Sequence, residues 1–217
     1  MAALATVAAA EPVDLPTLVD RAAQALAEAR DSAEVLEARD LAALAYDAAK
    51  RAARLHRAKD AHDTLIAAAH RAQAHALEIE AAAKRRLADE YDAAQARGEV
   101  ARGGRPKTVE DADGFVPATA ADLGLHRDDI RDARLIRDAE RAEPGLARRV
   151  LDDRLARGAE PTRAALRRAA ESRLGRSLDR LAAAQAQLAD AKTLPKAAPL
   201  TPDQRARQIA VFGTQED

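Results

Sequence analysis

Basic and polar side chains recur at short intervals between residues 119 and 134 of this 217-residue chain. The set comprises Thr119, His126, Arg127, Arg131 and Arg134. Arginine forms hydrogen bonds with phosphate oxygens and with the edge of guanine, and hydroxyl side chains add contacts with phosphate. If these side chains share one exposed face, the chemistry that they favour is recognition of duplex DNA.

The small and apolar residues of the same stretch are spaced as in a helix-turn-helix. Ala120 lets two helices approach closely, and Gly124 stands where the turn needs a residue that tolerates positive φ. Leu123 and Leu125 are expected to fill the angle between the helices, with Ile130 on the inward side of the second helix. We expect this second helix to enter the major groove. A plain turn between two packed helices has the same spacing, so the pattern alone leaves both interpretations open.

A basic segment that breaks helices precedes this pattern. Residues 98–117 contain four glycines and two prolines, which is typical of a linker. Its first part carries Arg102, Arg105 and Lys107. We predict that these three residues form an arm that contacts DNA phosphates.

Acidic residues alternate with the arginines of the predicted recognition helix and support a second interpretation. Asp128, Asp129 and Asp132 lie within this helix, and the net charge of −1 gives the whole protein no attraction to nucleic acid. Mixed charge is also typical of a helix that faces water or a protein partner. The alternative is therefore a non-enzymatic structural or adaptor protein whose helices bind another protein.

The remaining titratable residues show no pattern of a catalytic, metal or cofactor site. The chain has no cysteine. Its histidines at positions 56, 62, 70 and 75 lack the i, i+4 spacing that places two imidazoles on one helix face. No grouping of nucleophile, base and acid is recognisable, and no glycine-rich phosphate loop. We therefore predict that the protein is not an enzyme and uses no metal ion or cofactor.

Helices are predicted for all the elements that must position these residues. Alanine dominates the apolar residues and a third of the chain is charged, a composition that favours long helices. We predict an all-α fold: a long N-terminal helical hairpin or coiled coil at residues 15–97, followed by a helical domain at 118–192 that contains the helix-turn-helix. The basic arm at 98–117 separates them, with a disordered tail at 1–14 and a flexible tail at 193–217. Within the second domain, breakers delimit helices at residues 119–123, 127–141, 144–157 and 162–191.

Two apolar stripes with spacings of three and four mark the faces along which the N-terminal helices should pack. One comprises Leu41, Leu44, Ala48, Ala52 and Leu55, and the other lies between Leu65 and Tyr91. Both are too long for the short C-terminal helices to cover. We expect the two stripes to pack on each other as a hairpin and across a homodimer.

Residues 118–170 resemble the helix-turn-helix region of ParB/KorB-like proteins of plasmids and phages. The resemblance rests on residues 118–130, on Ala-Glu-Pro-Gly-Leu-Ala from position 142 through to Gly158, and on Pro-Thr-Arg-Ala-Ala from position 161. The alanine-rich first half followed by Gly-Gly-Arg-Pro-Lys at 103–107 is similar to uncharacterised phage and prophage proteins. The resemblance implies a DNA-binding, regulatory protein of a mobile element. It implies no partition or CTP chemistry, because the N-terminal domain of true partition proteins has no counterpart here.

The apolar stretches are too short for a membrane protein. None approaches the roughly 20 apolar residues that cross a bilayer. Residues 1–10 are apolar but lack the basic start of a signal peptide. We therefore expect a cytoplasmic protein that makes no contact with membranes.

Overall fold

The computed structural model describes residues 14–59, 62–101 and 117–193, together with residues 202, 203, 205 and 207. Within these residues the backbone forms six α-helices and no strand, which confirms the predicted all-α fold. The helices are α1 (Leu15–Glu28), α2 (Ser32–Ala58), α3 (Asp63–Arg97), α4 (Arg127–Ala142), α5 (Leu146–Ala156) and α6 (Arg163–Thr193). Nearly all of the two predicted tails lies outside the described residues, as do Arg102, Arg105 and Lys107 of the predicted arm.

Contacts between Cα atoms group the chain into two compact units, residues 1–177 and 178–217. The sequence placed a boundary at residues 98–117, whereas the helices on both sides of that segment belong to the first unit. In the second unit, Leu178, Leu181 and Leu188 of α6 are exposed. None of the helices in the described part of the chain has the length and apolar character that a membrane span requires.

The central helix of the first unit is α3, which is contacted by α1, α2, α4 and α5. Apolar side chains on several of its faces explain this position, because each face needs a partner to exclude water. Leu77 is 1% exposed and Leu87 is 4% exposed, whereas Leu65, near the start of the helix, is 49% exposed. The predicted stripe of α3 is therefore buried within a single chain along most of its length.

A different face of α2 from the predicted one packs against the rest of the unit. The buried residues of α2 are Val35, Ala38, Ala42, Ala45, Tyr46, Ala49 and Ala53. By contrast, Leu44 and Leu55 of the predicted stripe are 54% and 52% exposed. The prediction that this face packs in the hairpin was wrong because it ranked leucine above alanine, whereas a row of alanines lets two helices come close and gain many weak contacts. Its packing across a homodimer stays a prediction. The α2–α3 hairpin is present, and its supercoiling as a coiled coil stays a prediction.

Polar contacts fix α4 between α3 and α5. The Arg137 side chain, 8% exposed, donates from Nη1 to the carbonyl oxygen of Ala88 at 3.2 Å and to Asp92 Oδ2 at 2.5 Å. One turn further along α4, the buried Glu140 carboxylate accepts hydrogen bonds from the backbone nitrogens of Gly145 (2.8 Å) and Ala147 (2.7 Å). These contacts satisfy the free N–H groups at the start of α5. They also set the direction of α4 and thereby place its first turn.

Candidate nucleic-acid interface

The first helix of the predicted helix-turn-helix is a single helical turn. The Leu123 nitrogen donates to the Ala120 carbonyl at 3.2 Å. The Asp122 carboxylate caps the turn by accepting from both the backbone nitrogen and the hydroxyl of Thr119, each at 2.8 Å. These hydrogen bonds from Thr119, backbone first, lower the pKa of Asp122. The segment predicted as a helix at 119–123 is thus one capped turn, too short to qualify as a helix.

Gly124 ends this turn in the left-handed region, with φ of +68°, as the sequence predicted. The Leu125 nitrogen reaches back to the Ala120 carbonyl at 2.9 Å, which closes the turn. Leu125 is buried at 5% exposure, whereas Leu123 is 42% exposed. The expectation that both leucines fill the angle between helices is therefore confirmed for Leu125 and wrong for Leu123, because Ala120 is the residue of the single turn that packs against the apolar cluster beside Leu125.

The first turn of α4 follows directly. His126 stands at its N-cap, and the backbone nitrogen of His126 donates to Asp129 Oδ2 at 3.2 Å. Ile130 and Ala133 are 7% and 1% exposed and face inward, and the sequence predicted this orientation for Ile130. The carboxylate of Asp129 thus caps the helix, where the helix dipole favours a negative charge.

Asp132 and Asp128, the other two aspartates in the first turns of α4, differ in exposure. Asp132 Oδ1 lies 3.6 Å from Arg167 Nη2 of α6, an ion-pair distance too long for a hydrogen bond, and its side chain is 31% exposed. Asp128 has a side chain that is 88% exposed, and its Oδ1 lies 3.8 Å from Arg131 Nη2. Of the four aspartates in α4, Asp128 is exposed, and Asp129, Asp132 and Asp138 are partly buried.

The structure brings five of the eight predicted site residues to one open groove of about 880 Å³. They are Thr119, His126, Arg127, Arg131 and Arg134. Tyr91 and Gln95 of α3 also line this groove, which we call the α4 groove. The other three predicted residues, Arg102, Arg105 and Lys107, lie outside the described residues.

Within the α4 groove, Arg134 is held by α3. Its Nε donates to Asp92 Oδ1 at 2.9 Å, its Nη2 donates to Gln95 Oε1 at 2.9 Å, and its guanidinium lies over the Tyr91 ring at 5.5 Å. Burial would raise the pKa of Asp92, but hydrogen bonds from Arg137 and Arg134 outweigh burial and lower it. Asp92 therefore stays ionised and balances two arginines that join α3 to α4.

Arg127 and Arg131 have fewer contacts than Arg134. The Arg131 side chain is 65% exposed, and its ion pair with Asp128 is long and exposed, a kind of pair that contributes little. Arg127 is exposed and pairs with no acidic residue in the described ranges. These two guanidinium groups, four residues apart on α4, are the ones available to a ligand of the groove.

Sequence reasoning did not identify the α3 wall of the groove. Asp92 lies 42 residues before Arg134, and nothing in the local spacing of either residue signals the contact. The cap formed by Asp129 could have been recognised, because an acidic residue three positions after a helix N-cap is a local signal.

Comparisons of the chain with models of protein families, with curated proteins and with solved structures give no match. The resemblance to ParB/KorB-like proteins therefore stays a prediction. Among the described residues, no three histidine, aspartate or glutamate side chains come together as metal ligands do. The functional interpretation rests on the geometry of the α4 groove.

Proposed function

We propose that this protein binds duplex DNA through the α4 groove and acts as a regulatory protein of the mobile-element type. The observation that carries the proposal is the position of Arg127 and Arg131, which are exposed at the start of a helix that follows a tight turn. Thr119 and His126 line the same groove. Asp129, which weighed against DNA on sequence grounds, is used as a helix cap.

In this proposal the residues of the groove have separate tasks. Arg127 and Arg131 contact bases or phosphates, and Thr119 and His126 add polar contacts at the edge. Arg134 is a positioning residue, because its guanidinium is held by Asp92 and Gln95. The basic arm with Arg102, Arg105 and Lys107 supplies further phosphate contacts. None of these residues performs a catalytic step.

The proposal also includes a homodimer and a cytoplasmic location. Two copies joined through their N-terminal helices would present two α4 helices to two half-sites, as dimeric helix-turn-helix proteins do. A regulator of mobile-element DNA acts where that DNA is transcribed, which in a bacterial host is the cytoplasm.

A second candidate is the adaptor protein, which the distribution of charge favours. Asp92 balances Arg134, and Asp128 stands 3.8 Å from Arg131, so the basic surface is smaller than the sequence suggested. A protein partner that carries both acidic and basic side chains would fit such a surface. The DNA-binding proposal requires contacts between DNA and the side chains of Arg127 and Arg131, whereas the adaptor proposal does not.

The test replaces Arg127 and Arg131 together by Ala and measures binding of a labelled 30-bp duplex by fluorescence anisotropy at several salt concentrations. Removing one phosphate contact lowers the log–log salt slope by about 0.9, so the slope of the double variant should fall by up to about 1.8. The matched control is Arg176→Ala with Arg180→Ala, which removes two exposed arginines four residues apart on α6 and changes the net charge equally.

We expect the control to retain most of the slope and affinity of the parent. Equal decreases in both double variants would mean that net charge alone governs binding, and the groove would then have no special role. A parent protein that binds no duplex at about 50 mM salt would remove the DNA proposal and favour the adaptor.

A further inference from the structure

Beside the face of α2 that packs on the core, a second row of apolar residues runs along the helix, from partly buried Leu41 to exposed Leu44 and Leu55. Leu41, Leu44, Ala48, Ala52 and Leu55 follow one another at spacings of three and four, and we call them the outer stripe of α2. Leu44 and Leu55 are more than half exposed, and Leu41 and Leu44 line a shallow groove with Asp40. Exposed leucines within an apolar row on a long helix are typical of an interaction surface.

The charges along α2 indicate which partner fits this surface. The exposed acidic residues Glu34, Glu37 and Asp40 lie in the first half of the helix, with Asp47 just past its midpoint. The exposed basic residues Arg51, Arg54 and Arg57 lie in the second half. A second copy of the helix in parallel orientation would place like charges side by side. A second copy in antiparallel orientation places the acidic half of each helix beside the basic half of the other.

We propose that a second copy of this chain docks on the outer stripe, with the two α2 helices antiparallel about a two-fold axis. With the axis midway between Ala45 and Tyr46, Asp40 of each copy is level with Arg51 of the other. Both residues lie on the same edge of the stripe, so the symmetry forms this pair twice.

The same register also suits the apolar residues. Leu41 and Leu44 of one helix come level with the part of the partner's stripe that contains Ala48 and Ala52, so large side chains face small ones. Such alternation lets two helices pack closely without voids. The position of the two-fold axis thus satisfies the charges and the leucines together.

Contacts within the chain leave the pairing groups available. Arg51 and Arg54 form no ion pair with described residues. Asp40 accepts from Nε (3.0 Å) and Nη2 (2.8 Å) of its neighbour Arg39 and pairs with no other described residue. Asp47, close to the axis, lies 3.6 Å from Arg163 of its own chain, which reduces repulsion between the two copies.

The docked pair would connect the dimer to the α4 groove. Leu36 of α2 packs against the apolar cluster that contains Leu125 and Ile130, next to the turn at Gly124. An antiparallel α2 pair would therefore fix the two α4 helices relative to each other. This consequence rests on the proposed DNA-binding function, whereas the dimer itself does not.

The test is charge exchange across the interface, followed by sedimentation equilibrium without DNA. Asp40→Arg should place like charges level at two sites and raise the dimer dissociation constant about 5- to 30-fold, and Arg51→Asp should do the same. An equimolar mixture of the two variants should recover dimers, because each chain then supplies the charge that the other needs. The matched control, Asp152→Arg on α5, reverses one exposed charge and should leave the dissociation constant unchanged.

A second variant tests the apolar contact. Leu44→Asp should give monomers, whereas Leu178→Asp, which changes a leucine of α6 that is also more than half exposed, should leave dimers intact. Circular dichroism that matches the parent shows that each variant is folded.

The outcomes separate this proposal from the DNA proposal. A monomeric parent at tens of micromolar, or dimers that tolerate Leu44→Asp and both charge reversals, would overturn the α2 interface. Dimers that respond as expected but bind no duplex would leave the interface in place and remove the DNA-binding function.

Discussion

Two glycine-to-alanine substitutions, Gly124→Ala and Gly175→Ala, should change the free energy of unfolding in opposite directions. Gly124 has φ of +68°, and a Cβ atom added there would meet no heavy atom within 4 Å. The cost of Gly124→Ala is therefore conformational: the left-handed region costs a residue with a Cβ about 1–2 kcal/mol. The stiffer unfolded chain offsets about 0.4–1 kcal/mol of this. We expect the free energy of unfolding to fall by about 1 kcal/mol.

Gly175 provides the matched control. It lies within α6, has ordinary helical backbone geometry, and a Cβ added there would also meet no heavy atom within 4 Å. Alanine is favoured over glycine inside a helix by about 0.5–1 kcal/mol, so Gly175→Ala should raise the free energy of unfolding by that amount. The two substitutions have identical chemistry and differ only in φ.

Urea denaturation followed by circular dichroism at 222 nm measures both changes. The midpoint should move down for Gly124→Ala and up for Gly175→Ala, with the slope m unchanged. If Gly124→Ala stabilised the protein as Gly175→Ala does, the turn before α4 would not require positive φ. The positions of His126 and Arg127 that depend on this turn would then be refuted.

Two further predictions concern the core and the acid sensitivity of the fold. Leu77→Ala should lower the free energy of unfolding by about 2–5 kcal/mol because Leu77 is 1% exposed. Leu65→Ala is the control and should change the free energy of unfolding far less, because Leu65 is 49% exposed. Similar decreases in the two variants would contradict the described core. Asp92→Asn should make folding less sensitive to acid. Because the pKa of Asp92 is lowered, its ionised form contributes stability at pH values above the ordinary pKa of aspartate. This contribution is lost as the pH falls through the pKa that Asp92 has in the folded protein. The stability gap between parent and Asp92→Asn in urea titrations should therefore narrow as the pH falls, and a constant gap would contradict the role of Asp92.

Local signals in the sequence predicted most of the helix ends. The predicted boundary at Gly98 coincides with the end of α3, and the predicted helices at 127–141, 144–157 and 162–191 end within two residues of α4, α5 and α6. Such signals work because caps and left-handed glycines depend on neighbouring residues. The turn at Gly124 was predictable for the same reason, and its first helix was overestimated because one turn and a short helix share the same capping residues.

Packing between distant residues was less predictable. The face of α2 that is buried depends on how closely an alanine row fits α3, and hydrophobicity alone favours the leucines that stay exposed. The role of Arg134 depends on Asp92, which only the fold brings near. For the candidate site, the sequence therefore predicted five residues that line the groove, but neither its α3 wall nor the contacts that hold Arg134 within the chain.

The measurement that tests the central claim most directly is site-specific crosslinking to DNA. The chain has no cysteine, so Asp128→Cys gives one attachment point for a photo-crosslinker at the first turn of α4. The Asp128 side chain is 88% exposed, so the label should not disturb folding. Asp152→Cys on α5, where the side chain is 66% exposed, is the control with the same change in charge.

Both labelled proteins are bound to the same duplex at equal saturation and irradiated. The DNA-binding account predicts that the label at position 128 crosslinks to DNA and that the label at position 152 does so several-fold less. Equal crosslinking from both positions, or none from position 128 while the protein remains bound, would show that the first turn of α4 does not contact DNA.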